Sequence, residues 1–235
     1  MRSSISAAPS RCRAAARSRC LQGALAIDSK GTIDANSSGQ SLNLGQGGGS
    51  LTNTGTFEAT SGGHLFVAQA LSGAGQLKIG ASSEVELGGA TSENASFLSA
   101  SSAKLRIDNA TTTTYGGVLN SFAKGDILEL GNTNATTATP TSFNGTNTTL
   151  TVDLSSGGPL LYTLAGNLTG DTFSVTHSGS DSDIAIATPA AFDAAFSLLG
   201  NPTGSSFVGS SGVFGASNTA GSAQLNLAAS LHAHS

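Results

Sequence analysis

Two rows of apolar residues recur through this chain about every 22 positions, a periodicity that limits the available folds more than any other feature. One row reads Leu42, Leu65, Val85, Leu105, Leu128, Leu150 and Phe173; the other reads Ile33, Phe57, Leu77, Phe97, Leu119, Phe143 and Leu161. Around each member, apolar and polar residues alternate at period two, the mark of strands with one buried face, and no helical period competes. Strands that return at a fixed spacing of 20 to 25 residues stack as the coils of a parallel β-helix. The expected fold is therefore all-β: a right-handed parallel β-helix of about seven coils over residues 31–187. Handedness follows from the usual chirality of parallel crossovers. At roughly 4.8 Å per coil, seven coils make a rod of about 34 Å. A third row, Leu51 and Leu71, fades after two members.

Composition supports thin layers rather than a thick core. Of 235 residues 31 are Gly, 10% are charged and 5% aromatic, with no Trp. Gly31, Gly55, Gly75, Gly80, Gly88 and Gly89 stand at strand edges, where a corner needs either positive φ or close backbone approach. Outward charges fall into register on the same spacing: Asp34, Glu58 and Lys78 in one phase, Glu86, Arg106 and Glu129 in the other. Cross-strand pairing gives these carboxylates a structural use.

The ends read differently. Six of the ten basic residues lie in the first thirty positions, leaving four basic against thirteen acidic from Gly31 onward. An acidic body argues against nucleic acid, whose phosphates require clustered Lys and Arg. Residues 1–30 are expected to be a disordered basic leader; a transit peptide and a misassigned start remain open, whereas the apolar run of a secretory signal is missing. Cys12 and Cys20 match neither a zinc pair nor a C-x-x-C redox pair. No stretch is apolar enough to span a membrane as a helix. Residues 188–200 suggest a short capping helix with Phe192, Phe196 and Leu199 on one face, and 201–235 a disordered Gly- and Ser-rich tail. Residues 132–140 read as a Thr- and Asn-rich insertion.

Gly49-Ser-Leu-Thr-Asn-Thr-Gly-Thr-Phe-Glu-Ala-Thr60 resembles the repeat unit of large bacterial secreted surface proteins, the β-strand-repeat passengers of autotransporters and related adhesins. Asn120-Ser-Phe-Ala-Lys-Gly-Asp-Ile-Leu-Glu-Leu130, Asp171 to Thr176 and Gly179 to Ile186 resemble the module that closes such arrays. The resemblance implies export, an extracellular or outer-surface location and a non-enzymatic structural or adhesive role, with a surface, glycan or protein as ligand. It would make this chain a passenger fragment, since neither a signal peptide nor translocator strands accompany it; a decayed fragment without independent function is one alternative.

Chemistry is sparse by comparison. Gly179-Ser-Asp-Ser-Asp-Ile184 resembles one copy of a calcium-binding β-roll nonapeptide, making Asp181 and Asp183 weak calcium candidates; calcium needs about six or more oxygens from repeated copies, and a solvated turn is the favoured reading of the segment. His64 and His177 sit at strand ends far apart, and His232 and His234 near the terminus offer only two ligands. No G-x-S-x-G elbow marks a hydrolase. Glycan-binding or glycan-cleaving β-helices share the architecture but use aromatic platforms, and here there are only Tyr115 and Tyr162. No catalytic residue, cofactor or assigned metal site is expected.

Overall fold

The computed structural model describes residues 12–13, 27–47, 50–98 and 102–187. The stretches 188–200 and 201–235, and most of 1–30, lie outside the described residues. The strands are β1 (Cys12–Arg13), β2 (Ile27–Ser29), β3 (Thr32–Ala35), β4 (Ser41–Leu44), β5 (Leu51–Asn53), β6 (Thr56–Ala59), β7 (His64–Val67), β8 (Leu71–Ser72), β9 (Gln76–Ile79), β10 (Glu84–Leu87), β11 (Asn94–Phe97), β12 (Lys104–Ile107), β13 (Val118–Asn120) and β14 (Ile127–Leu130). Five further strands follow: β15 (Ala135–Phe143), β16 (Asn147–Leu154), β17 (Leu160–Ala165), β18 (Phe173–Ser178) and β19 (Asp181–Ile186). No helix occurs among the described residues.

Through β14 the chain is a β-solenoid of about five turns with three faces. The first face stacks β1, β3, β6, β9, β11 and β13, the second stacks β4, β7, β10, β12 and β14, and all of these pairs are parallel. The third face is narrow: β2, β5 and β8, continued by single bridges from Leu71 to Thr91 and from Thr91 to Tyr115. This face carries the third row, which loses its apolar character after Leu71 without losing its place in the stack. Ile27–Ser29 brings the stacked strands ahead of Gly31.

The apolar rows lie inward as the alternation requires. Leu42, Leu65, Val85, Leu105 and Leu128 are Cα partners along the second face. On the first face the partners are Ile33, Phe57, Leu77, Ala95 and Leu119, with Phe97 two residues along beside Ile79. Phe57, Leu65, Leu77, Leu105, Leu119 and Leu128 are fully buried. Burial of such side chains stabilises by roughly 1.5–3 kcal/mol each, which lets thin coils hold without bulky aromatics.

Two coils fewer are present than the seven expected. After β14, β17 still pairs parallel with β13, but β15, β16 and β17 run antiparallel to one another, as do β14, β19 and β18. Chain length explains the switch. Only residues 144–146, 155–159 and 179–180 join β15 to β16, β16 to β17 and β18 to β19, and a parallel return needs a dozen or more residues. Leu150 therefore sits on the first face rather than the second, Phe173 pairs with Ile186 in a hairpin, and Phe143 and Leu161 are exposed at 39% and 62% rather than buried. Much of the insertion at 132–140 is the start of the nine-residue strand β15. Five coils at roughly 4.8 Å make about 24 Å of stack. Leu154, Leu160, Leu168, Phe173 and Val175 then pack against the core, and Phe122 stacks on Phe173 with ring centroids 6.4 Å apart.

Corners use both devices, together at Gly73, where φ is 119° and a Cβ would stand 1.9 Å from the Asn53 carbonyl oxygen, and singly at other positions. A Cβ on Gly55 would stand 2.1 Å from the Gly31 carbonyl oxygen of the coil before it, so this glycine is needed for close approach. Left-handed backbone falls elsewhere, on Gly62 and also on Ser61, Ser82, Ser102 and Ser121. Serine thus takes left-handed corners, and none of the six edge glycines has a positive φ.

A charged outer face on the second sheet

In β7, β10 and β12 the burial alternates, placing Leu65, Val85 and Leu105 inside and their neighbours on the outer surface. The register then builds two adjacent outer rows. One contains Ser41, His64, Glu84 and Lys104; the other contains Phe66, Glu86, Arg106, Glu129 and, across the antiparallel edge, Asp183. The expected Glu86, Arg106 and Glu129 ladder is therefore present. So is the register of Asp34, Glu58 and Lys78 on the first face. Asp34 there is buried and accepts a 2.9 Å hydrogen bond from the Thr60 hydroxyl.

Arg106 is the hub of the charged face. Its guanidinium reaches Glu86 Oε1 at 3.5 Å, Asp108 Oδ1 at 2.8 Å, Asp181 Oδ2 at 2.8 Å and the Glu129 carboxylate. Lys104 also pairs with Glu129, whose side chain is only 8% exposed. Both fixed cations thus lean toward the β14 and β19 side. Burial opposes the Arg106 charge, but the surrounding carboxylates leave its pKa raised. Burial, aided by the charge of Glu86, raises Asp108, whereas the backbone N–H of Asn132 and the nearby guanidinium lower Asp181.

At the other side of this face, His64 Nδ1 lies 2.9 Å from the Ser41 hydroxyl and Nε2 lies 2.7 Å from Glu86 Oε2. Nε2 is shielded from solvent, and its contact with the Glu86 carboxylate is an ion pair when the imidazole carries its second proton. The Glu86 carboxylate is the largest cause of a raised His64 pKa, with burial opposing it, and the imidazole correspondingly lowers that of Glu86. Glu84 completes a group with His64 and Glu86 in which one ligand atom from each lies within 4.8 Å of the others. Among the described residues the Glu84 side chain has no hydrogen bond or salt bridge, while its backbone N–H donates to the Gly63 carbonyl.

The other candidate positions are scattered. Asp181 lies at the edge of this face, where its two oxygens meet the Asn132 backbone N–H at 2.8 Å and Arg106. Asp183 is the antiparallel partner of Glu129, with one oxygen buried and unpartnered. An open depression beside them is lined by Asn132, Asn134, His177, Gly179 and Ser180. His177 Nδ1 is 3.1 Å from the Ser182 hydroxyl and, on β18, far along the sheet order from His64 on β7. Cys12 is the parallel partner of Ile33 in β1, and Cys20, His232 and His234 lie outside the described residues. Tyr115 and Tyr162 point inward, 7% and 5% exposed, and burial raises both pKa values.

Sequence reasoning passed over Glu84. The signal was present in the 20-residue step from Leu65 to Val85, which also carries His64 onto Glu84. Searches with the whole chain match no protein-family model, no curated protein and no solved structure.

Proposed function

We propose that this chain is a non-enzymatic structural or adhesive β-helix of the secreted or cell-surface kind, passenger-like, holding outward-facing sheets to a glycan, protein or other surface. The observation that carries this reading is the stack itself: short parallel strands whose side chains divide into an apolar inside and continuous polar rows outside. Such an arrangement spends the sequence on surface rather than on a cavity. The repeat resemblance at Gly49 to Thr60 supports an autotransporter passenger or adhesin. The burial of both tyrosines weighs against a sugar-binding or sugar-cleaving groove, because neither ring is free to stack on a pyranose. Contact would be made by the outer face of β15, β16 and β17, where Thr139, Thr151 and the exposed Leu161 are cross-strand neighbours.

The test is to locate the native protein by cell fractionation and surface protease shaving. A surface or released pool is expected; a protein found only in the cytoplasm would overturn the proposal. A glycan array with a depolymerase screen separates the competing reading, for which a reproducible cleavage product would replace the scaffold by an enzyme.

A further inference from the structure

We propose that His64, Glu84 and Glu86 form a binding site for a divalent first-row transition ion on the outer face of the second sheet. The donor set is one imidazole nitrogen and two carboxylates, and their ligand atoms already lie within 4.8 Å of one another. In a tetrahedral zinc site with bonds of about 2.0–2.2 Å, neighbouring ligand atoms stand roughly 3.4 Å apart. The 2.7 Å separation of His64 Nε2 and Glu86 Oε2 needs a small opening, and the long Glu84 side chain can supply the third ligand. Imidazole selects a transition ion over calcium or magnesium, which take oxygen ligands.

Three observations separate this group from an ordinary patch of surface acids. First, Nε2 is shielded from solvent and faces two carboxylates, Glu86 at 2.7 Å and Glu84 within 4.8 Å. A ring nitrogen held 2.7 Å from one carboxylate and close to a second is placed where a cation could replace its proton. Second, the Ser41 hydroxyl at Nδ1 can accept the ring proton, fixing the tautomer that leaves the Nε2 lone pair for a metal, the usual outer support of a metal-bound histidine. Third, the neighbouring cations are engaged elsewhere. Lys104, although opposite Glu84 in register, pairs with Glu129, and Arg106 approaches Glu86 through Oε1 while Oε2 faces His64. Two carboxylates and a neutral imidazole would balance a doubly charged ion.

The site joins adjacent strands, with His64 on β7 and both glutamates on β10. A bound ion would therefore clip one coil to the next and raise the melting temperature by mass action. Three protein ligands also leave a position for water or for a carboxylate from whatever surface the sheet meets.

The test uses the full chain with Cys12 and Cys20 changed to Ser, and His232 and His234 to Ala, so that the terminal ligands do not contribute. Calorimetric titration with Zn2+ should give one saturable site and a rise in melting temperature. H64A should abolish it, E84Q should weaken it at least about tenfold, and S41A should weaken it about 10- to 100-fold, the range for an outer-shell partner. If H64A does not fold, E84Q decides, because Glu84 is half-buried and makes no hydrogen bond that its loss would break. Equal Zn2+ binding in the parent and E84Q, no binding in the parent, or a preference for Ca2+ over Zn2+ would each overturn the proposal.

Discussion

Residues 27–130 and 131–187 solve the same packing problem with opposite strand directions. In the coils, strands have two to four residues, each pair is parallel and each return passes around the solenoid. In the terminal part, strands of six to nine residues reverse through links as short as two. The coils depend on inward apolar rows and on glycines that let backbones approach, so their stability is distributed along the stack. The terminal strands add buried polar tethers. Ser182, fully buried, donates to the Thr133 carbonyl at 2.7 Å and accepts from the Ala135 N–H at 3.0 Å, while Thr148 donates to the Gly166 carbonyl and accepts from the Leu168 N–H. Apolar stacking builds the rod, and hydrogen bonding at a few points closes it.

The sharpest way to break this contrast is to cut the apolar row. Phe57→Ala removes a fully buried ring from between Ile33 and Leu77, and should cost about 3–5 kcal/mol. Chemical denaturation would measure it, and hydrogen exchange should show lost protection in the coils on either side. A cost under about 1 kcal/mol would mean that the row is not a continuous core.

Ser182→Ala should cost about 1–3 kcal/mol by orphaning buried backbone groups. Its signature is local: faster exchange in β18, β19 and β15 with the coils still protected. Loss of protection spread evenly over both regions would show that they unfold as one unit.

Arg106 joins the two regions, because it reaches Glu86 in the coils and Asp181 in the terminal hairpin. Arg106→Gln leaves these carboxylates facing Asp108 and Glu129 with Lys104 beside Glu129 and His64 beside Glu86, and should cost about 1–2 kcal/mol, discounted for partial exposure. The loss should shrink as salt screens the repulsion. A salt-independent loss would point to packing of the side chain instead.

The smallest expected effect lies within the coils. Glu93 is 3% exposed and accepts a 2.8 Å hydrogen bond from Asn53 Nδ2, reaching two coils back. It passes Gly75, where a Cβ would stand 2.2 Å from that nitrogen. Burial raises the Glu93 pKa despite the Asn53 bond. Between the ordinary carboxylate pKa and this raised one, the folded state holds a proton that the unfolded state has released, so stability falls as pH rises through that window. Glu93→Gln should remove this fall, and the wild type should lose stability relative to the variant as pH climbs toward neutral. A wild-type minus variant difference that stays flat with pH would show that Glu93 is not buried as a carboxylate.

Much of the coil region is legible in the sequence, because a side chain on a strand has two choices of face and a one-residue slip would expose the whole row. Leu42 through Leu128 could be aligned for that reason, and the same alignment put Glu86, Arg106 and Glu129 in one ladder. The third face was harder to see, since Thr91 and Tyr115 replace its leucines and each contributes a single bridge. His64 was visible as a strand end, but its meeting with Glu84 required applying the register to both flanking positions.

The sequence by itself determined that this chain is all-β, that its strands are short and stacked, and that the two apolar rows from Ile33 to Leu128 face inward. Only the tertiary structure decided where parallel stacking stops. A hairpin and a solenoid coil can both return an apolar residue after about 22 positions, so Leu150 and Phe173 kept the beat of the ladder after the direction had changed. Strand direction depends on the few residues between strands, and the clustering of Arg106 with Asp181 depends on that direction. The contact spans 75 residues and exists because β19 folds back along β14.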